Sequence, residues 1–504
     1  MKVTLTLIFF ISIFYAKAQY NVTPHAKATQ YFSNPVFAGD YPDPSILKDG
    51  DTYYMVHSSF QYYPGLQIWQ SKDLVNWSPV TNALHKNVGN VMAPDIAKYN
   101  NKYYIYFPAN NNIYVITANS MAGPWSDPVD LKINRIDPGH IADEKGNRYL
   151  YFANGGYVSL SQDGLSVTSE TKFAYSGWKI PREWSIECFC LESPKITKHG
   201  DYYYLTVAEG GTAGPATSHM IISARAKSPL GPWENSPYNP IDRTINTTEQ
   251  WYSKGHGTLV EGANNKWWLV LHGYEKGYYN MGRQTLLEPV EWTKDGWFKI
   301  SANIKTEKPI ASPYNQPQKT AYPLSDDFSG NSLKPQWKFW DEYDTARLHF
   351  SNNSLTIKAK GKNIGESSPM LCIPSHHSYT AEVEVEIQGN AKGGLAIFYN
   401  KDYYYSLFAD STNLMNNVHN WQFVTERNVL KRHVYLKLKK VENTVDCFYS
   451  IDGIKWNKTE ASFEVSGMHH NVLGGFLGLR IALCSIGDGS VTFKNFKYQP
   501  INIE

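Results

Sequence analysis

Cysteine is scarce in this chain. Five in 504 residues (Cys188, Cys190, Cys372, Cys447 and Cys484) are too few to staple a protein of this size, and the odd number leaves at least one thiol unpaired. Cys188 and Cys190 stand two apart and point to one face of a strand. No histidine or second cysteine pair accompanies them, so a metal site there is not expected. Net charge is also nearly absent. The formal balance is +2, and residues 1–18 carry Lys2 and Lys17 with no acid. With no long basic run, nucleic acid and an anionic membrane surface are excluded as partners, and uncharged ligands fit better. Long helical periodicity is missing throughout. No apolar run beyond residue 18 approaches membrane-spanning length. The opening residues, with Lys2, an apolar 5–15 stretch and Ala16-Lys17-Ala18, read as a secretory signal peptide. A soluble protein, periplasmic or secreted, is expected.

What the chain has in quantity is aromatics, with 36 tyrosines and 15 tryptophans. Many belong to a repeated phrase in which a polar leader is followed by a strand that opens on aromatics. Asp43 precedes Tyr53-Tyr54, Asp95 precedes Tyr103-Tyr104, Asp137 precedes Tyr149, Glu192 precedes Tyr202-Tyr203-Tyr204, and His256 precedes Trp267-Trp268. From leader to first aromatic the counts are 10, 8, 12, 10 and 11, and successive leaders are 52, 42, 55 and 64 apart. Repeats of roughly 40–50 residues built of short strands mark a β-propeller, each repeat being one blade. Equivalent points of all blades face one axis. The spacing therefore predicts a five-bladed propeller over residues 30–300, with four carboxylates and one histidine converging at its hub. The phrases ending in Trp77, Trp125 and Trp233 read as outer hairpins, each with a tryptophan packed between blades.

Residues 301–323 turn to Pro, Gln, Lys, Asn and Ser without alternation and read as a linker. Beyond it, segments 354–360, 379–388, 394–399, 403–409, 434–441, 445–450, 476–483 and 490–498 alternate or run apolar, with a tight turn at Asp452-Gly453. This predicts a second all-β domain over 324–504, a β-sandwich of jelly-roll or concanavalin-like type. It either binds polysaccharide or buttresses the propeller and lends a loop to the pocket rim. The short Pro-rich linker favours the buttress.

Eight phrases in order resemble glycoside hydrolase family 43: Tyr41-Pro42-Asp43-Pro44-Ser45, Ser59-Phe60-Gln61-Tyr62-Tyr63-Pro64-Gly65, the segment from Ser71 to Trp77, Ala93-Pro94-Asp95-Ile96, Ile136-Asp137-Pro138, Glu192-Ser193-Pro194-Lys195, Gly255-His256-Gly257 and Gly282-Arg283-Gln284-Thr285. The C-terminal part, with the segment from Gly393 to Tyr399, is similar to the sandwich appended to β-xylosidases of that family. The resemblance implies an exo-acting hydrolase of terminal xylose or arabinofuranose residues from plant oligosaccharides, working by inversion. It implies Asp43 as general base, Glu192 as general acid and Asp137 as the carboxylate that raises the acid's pKa by its charge. Arg283, Phe60, His256 and Met92 fall at substrate-contacting positions, with Phe60 equally open to a core reading. Met92 stands where the family usually has tryptophan. In some relatives the residue matching His256 helps hold calcium, but one imidazole is no oxygen cage, so no metal or organic cofactor is expected.

Two rivals stay open. A retaining β-fructosidase-type enzyme would use Asp43 as nucleophile and Glu187, in Glu187-Cys188, as acid. A non-catalytic carbohydrate-binding protein would use the same scaffold without turnover. Asp95, though a leader, reads as structural.

Overall fold

The computed structural model describes residues 29–419, 421–428 and 431–502. The expected signal peptide lies outside them. Within them the chain is almost wholly β. Five antiparallel sheets form the blades, and each starts immediately after or upon one of the repeated phrases. Blade 1 contains Ser45–Asp49, Thr52–Val56, Gly65–Ser71 and Trp77–Leu84. Blade 2 contains Asp95–Tyr99, Lys102–Ala109, Asn112–Ala118 and Val129–Asp130. Blade 3 contains Gly139–Ala142, Arg148–Phe152, Gly156–Leu160 and Lys172–Phe173. Blade 4 contains Glu192–His199, Tyr202–Glu209, Met220–Ala226 and Glu234–Asn235. Blade 5 contains Trp251–Glu261, Trp267–Glu275, Arg283–Trp292 and Phe298–Ile300.

The aromatic strand is the second of each blade, and its rings fill the gaps between blades. Tyr53 and Met55 of blade 1 share a buried cluster with Val260 and Trp268 of blade 5. Tyr104 and Tyr106 of blade 2 share one with Leu150 and Phe152 of blade 3. Burial of such side chains is the main favourable term holding blade to blade. The ring closes where Thr258 Oγ1 of blade 5 donates to Pro44 O ahead of blade 1, at 3.2 Å. The outer-hairpin expectation also holds. Trp77 Nε1 donates to Leu74 O at 3.0 Å, and Trp125 Nε1 to Met121 O at 3.2 Å.

The second domain differs from expectation in how its strands join. Segments 379–388 and 394–399 are one strand, Tyr379–Phe398, and the final strand is Arg480–Pro500. The two pair along their length, with Gly389 opposite Gly489 and Ala391 opposite Gly487. Gly389, Gly487 and Gly489 have φ of 66°, 91° and 125°, values that only glycine adopts at low cost. The glycines that looked like turns are kinks inside a continuous ladder. Strands Trp421–Glu426 and Asn457–Glu464 were not anticipated, because their polar faces hide the period. No helix among the described residues is long and apolar enough to cross a membrane.

The domains are joined by a shared sheet. Tyr62–Tyr63 of the propeller pairs antiparallel with Lys338–Trp340 of the sandwich. Arg480 reaches back to Asp40 at 3.3 Å and lies 3.5 Å from the Tyr62 ring centroid. His377 Nε2 meets Glu275 at 2.8 Å.

Candidate active site

The repeated phrases place a left-handed backbone residue above the innermost strand of every blade. Asp43 (φ 55°), Ala93 (29°), Asp137 (57°), Ser193 (53°) and His256 (52°) all have positive φ. Such conformations are costly away from glycine and concentrate where side chains must be aimed. Here they turn Asp43, Asp137, Glu192 and His256 toward the axis. The carboxylates of Asp43 and Glu192 meet opposite nitrogens of one imidazole: His256 Nδ1 lies 3.3 Å from Asp43 Oδ1, and His256 Nε2 lies 3.5 Å from Glu192 Oε1.

Asp43 is buried and fully engaged. Arg283 Nη1 donates to Oδ1 at 2.7 Å and Nη2 to Oδ2 at 3.3 Å. Ser58 Oγ donates to Oδ2 at 2.5 Å. The backbone N–H of Asp43 donates to His272 Nδ1 at 3.0 Å, which leaves the His272 proton on Nε2. Burial alone would raise the Asp43 pKa. The Arg283 guanidinium, with His256 and His272 beside it, wins and holds this carboxyl well below its usual range. Burial pushes His272 down to about 3, with Arg283 adding to the effect. For His256, burial acts to lower the pKa, but Asp43, Glu192 and Asp137 together raise it, so its cationic form is favoured between the acids.

Asp137 is buried beside the Glu192 segment. Its Oδ2 accepts from the Ser193 N–H at 3.0 Å. Burial, and then the charges of Glu192 and Asp43 working against His256, push its own carboxyl up to about 7. Asp137 lies deeper than Glu192, whose side chain is 19% exposed, so burial weighs more heavily on Asp137. The site thus has a carboxylate held ionised on one side of His256 and two neighbouring carboxyls, Glu192 and Asp137, on the other.

Asp95 does not join them. It accepts from Lys195 Nζ at 2.8 Å, from Ser45 Oγ at 3.2 Å and from the His140 N–H at 2.8 Å, tying blades 1 to 4 beneath the hub. Phe60 needs correction. It has no exposed surface and belongs to the buried interdomain cluster that also holds Tyr62, Trp340 and Tyr399, so it supports the wall from behind and touches no sugar. Met92 is half-buried and packs against that same cluster. Glu187 is exposed on the loop before blade 4, where its Oε2 accepts from the Ala213 N–H at 2.7 Å. It takes no part in the hub. Its neighbours Cys188 and Cys190 are bonded to each other.

Several hub residues escaped sequence reasoning. Ser58 lies two residues past the second strand of blade 1. His272 interrupts the apolar run of blade 5, which was the one visible signal. His219 is fully buried, its ring 5.6 Å from those of both His256 and His272. Gly255 exists to admit it: a Cβ there would lie 1.8 Å from the His219 ring. From the sandwich, Phe476 places its ring 5.3 Å from the Arg283 guanidinium carbon and stacks on His470 at 3.6 Å.

Two donor sets invite a metal, Asp43 with His256 and His272, and Glu192 with His219 and His256. Calcium takes six to eight oxygens. Each set offers one carboxylate and two imidazoles, and Asp43 already faces a guanidinium. These residues do not fit calcium.

The sequence model of Glycosyl hydrolases family 43 matches residues 32–298, and that of the Beta xylosidase C-terminal Concanavalin A-like domain matches 325–499. The chain is 28% identical to the non-reducing end alpha-L-arabinofuranosidase BoGH43B of Bacteroides ovatus, over 92% of each chain. It is 26% identical to a xylan 1,3-beta-xylosidase of a Vibrio species, over 93% of this chain and 99% of that one. Among solved structures, the GH43 protein BlXynB of Bacillus licheniformis superposes with a TM-score of 0.84 at 26% identity, covering 94% of this chain and all of that one. With the propeller hub, its carboxylates and these likenesses in agreement, the chain belongs to glycosyl hydrolase family 43 and is a glycosidase.

Proposed function

We propose that this glycosidase removes terminal pentose residues, xylose or arabinofuranose, from the non-reducing ends of plant oligosaccharides by single displacement with inversion. The observation that carries the proposal is the pair of contacts at His256, 3.3 Å to Asp43 and 3.5 Å to Glu192 on opposite nitrogens. One ring's width between carboxyls supports the roughly 6.5–9.5 Å gap that admits a water, rather than the roughly 5–5.5 Å of a nucleophile pair. The names of the relatives support the substrate class.

In this reading Asp43, ionised by Arg283, takes a proton from the attacking water as its oxygen bonds to the anomeric carbon. Glu192 gives a proton to the departing glycosidic oxygen as that bond breaks. Asp137, buried beside Glu192, keeps a proton near neutrality, while the His256 ring stands between Asp43 and Glu192. The chemistry uses no metal or organic cofactor. Export through the 1–18 leader belongs to the same proposal, and N-terminal sequencing of the mature protein tests it.

A panel of nitrophenyl pentosides and hexosides, with the first-formed anomer followed by NMR, tests the reaction. Inversion on a pentoside is expected, and net retention would remove the assignment. Asp43→Asn should lower kcat on the order of 10²–10⁴-fold. Wild-type turnover in that variant would refute the base.

A further inference from the structure

Beside Glu192 a groove of about 590 Å³ runs outward over the rim of blade 3. Phe152, Arg135 and Asn154 line it, together with Lys172 and Phe173 of the outer edge strand. The volume is that of a small-molecule site. Its electrostatics are one-sided. Glu192 is its only acidic lining residue, and neither Arg135 nor Lys172 forms an ion pair among the described residues. Arg135 Nη1 donates only to the neighbouring Asn134 O, at 2.7 Å. Phe173 presents its ring to solvent, 67% exposed, although the second strand of the same blade buries its aromatics. Arg135 lies over the Phe152 ring, 5.9 Å to its centroid, so the groove carries two cations with no carboxylate partner among the described residues and one exposed aromatic face.

We propose that this groove is a leaving-group subsite selective for glycans that carry a carboxylate, a uronosyl unit on the sugar being released. The inference rests on Glu192 as the general acid. The departing oxygen must lie within hydrogen-bonding reach of that carboxyl, so the departing sugar emerges on its solvent side, where the groove begins. There Arg135 supplies a planar fork suited to a carboxylate. Lys172 adds a second positive charge, and Phe173 offers a platform for the apolar face of a sugar ring.

The test uses the full chain and two matched ligands: a neutral xylo-oligosaccharide, and the same oligosaccharide with one glucuronosyl unit on the sugar next to its non-reducing end. Each is also made with an arabinofuranosyl end. Calorimetric titration into the Asp43→Asn protein gives the ratio of their affinities. Hydrolysis by the active protein gives the ratio of kcat/KM. The acidic ligand should be favoured, the preference should shrink as salt is raised, and in Arg135→Gln/Lys172→Gln both ratios should fall roughly three- to tenfold. Phe173→Ala should weaken both ligands together. Ratios that stay flat across the variants while pentosides are cleaved overturn the groove and leave the activity standing. A charge-dependent binding ratio without any cleavage upholds the groove and overturns the activity.

Discussion

Phe476 of the sandwich lies with its ring 5.3 Å from the guanidinium carbon of Arg283, the residue that clamps Asp43. The second domain therefore supplies part of the catalytic surroundings and is no detachable appendage. Its hold on the propeller is extensive, since Tyr62–Tyr63 is paired only with Lys338–Trp340 and Phe60 is buried among sandwich residues. Deleting 324–504 strips the cover from that apolar surface, so the propeller alone is expected to be insoluble or inactive. Phe476→Ala is the finer test. A cation–π contact of this kind, partly desolvated, is worth about 0.5–2 kcal/mol, so kcat/KM should fall by about two- to thirtyfold at most, with the fold intact by circular dichroism. A soluble, fully active deletion protein would show that the sandwich has no such part.

Asp137 gives the pH dependence a definite sign. Its folded pKa is raised to about 7 by burial first and by Glu192 and Asp43 after it. Between the ordinary aspartate value near 3.9 and 7, the folded state holds a proton that the unfolded state has lost. Stability from this group therefore falls as pH rises across that window and is flat above it. Asp137→Asn keeps an acceptor for the Ser193 N–H and removes the ionisation. Its thermal midpoint should gain on the wild type progressively from pH 4 to 7. The alkaline fall of kcat/KM near pH 7 should move or vanish in the same variant. Identical pH profiles of stability and activity would refute the assignment.

The leaders Asp43, Asp137, Glu192 and His256 were legible because a propeller maps equal sequence offsets onto one axis, and because a left-handed residue at or next to each of them repeats with the blade. Asp95 shared the offset without sharing the role: it points at Lys195, and no one-dimensional pattern distinguishes a hub acid from a buried ion pair. Phe60 stayed open between sugar wall and core for a related reason. A strand-end aromatic faces either sugar or core, and which one depended on a second domain more than 270 residues away in sequence. The long sandwich strands were cut at glycines that turn out to be opposed across a ladder. Phe476 had no signal at all, since its importance comes from where a distant loop lands.

His272 is expected to act as a positioning residue through Asp43. Its Nδ1 accepts from the Asp43 backbone N–H at 3.0 Å, which holds the strained φ of 55°. His272→Leu removes that acceptor and leaves a buried N–H unpaired, a cost of about 1–3 kcal/mol. His272→Asn offers a carbonyl oxygen in its place. Turnover should drop at least tenfold in the first variant with KM little changed, and recover in part in the second. Equal losses in both would point to packing alone.

Lys195 shows why the hub stays rigid enough for this chemistry. Its ammonium is buried and donates to Pro94 O at 3.1 Å, Asp95 Oδ1 at 2.8 Å and Pro138 O at 3.0 Å, so a blade 4 side chain holds the openings of blades 2 and 3. Removing one member of a buried pair strands the other, at about 3–5 kcal/mol, whereas replacing both with apolar groups costs far less. Lys195→Met should therefore lower the thermal midpoint sharply, and Lys195→Met/Asp95→Leu should recover part of the loss. Activity should follow a different order. The double variant still lacks the bonds from Asp95 to Ser45 and His140, so its kcat should stay depressed after its stability returns. Stability and kcat recovering together would mean that the ion pair serves folding alone and that blade register is fixed elsewhere.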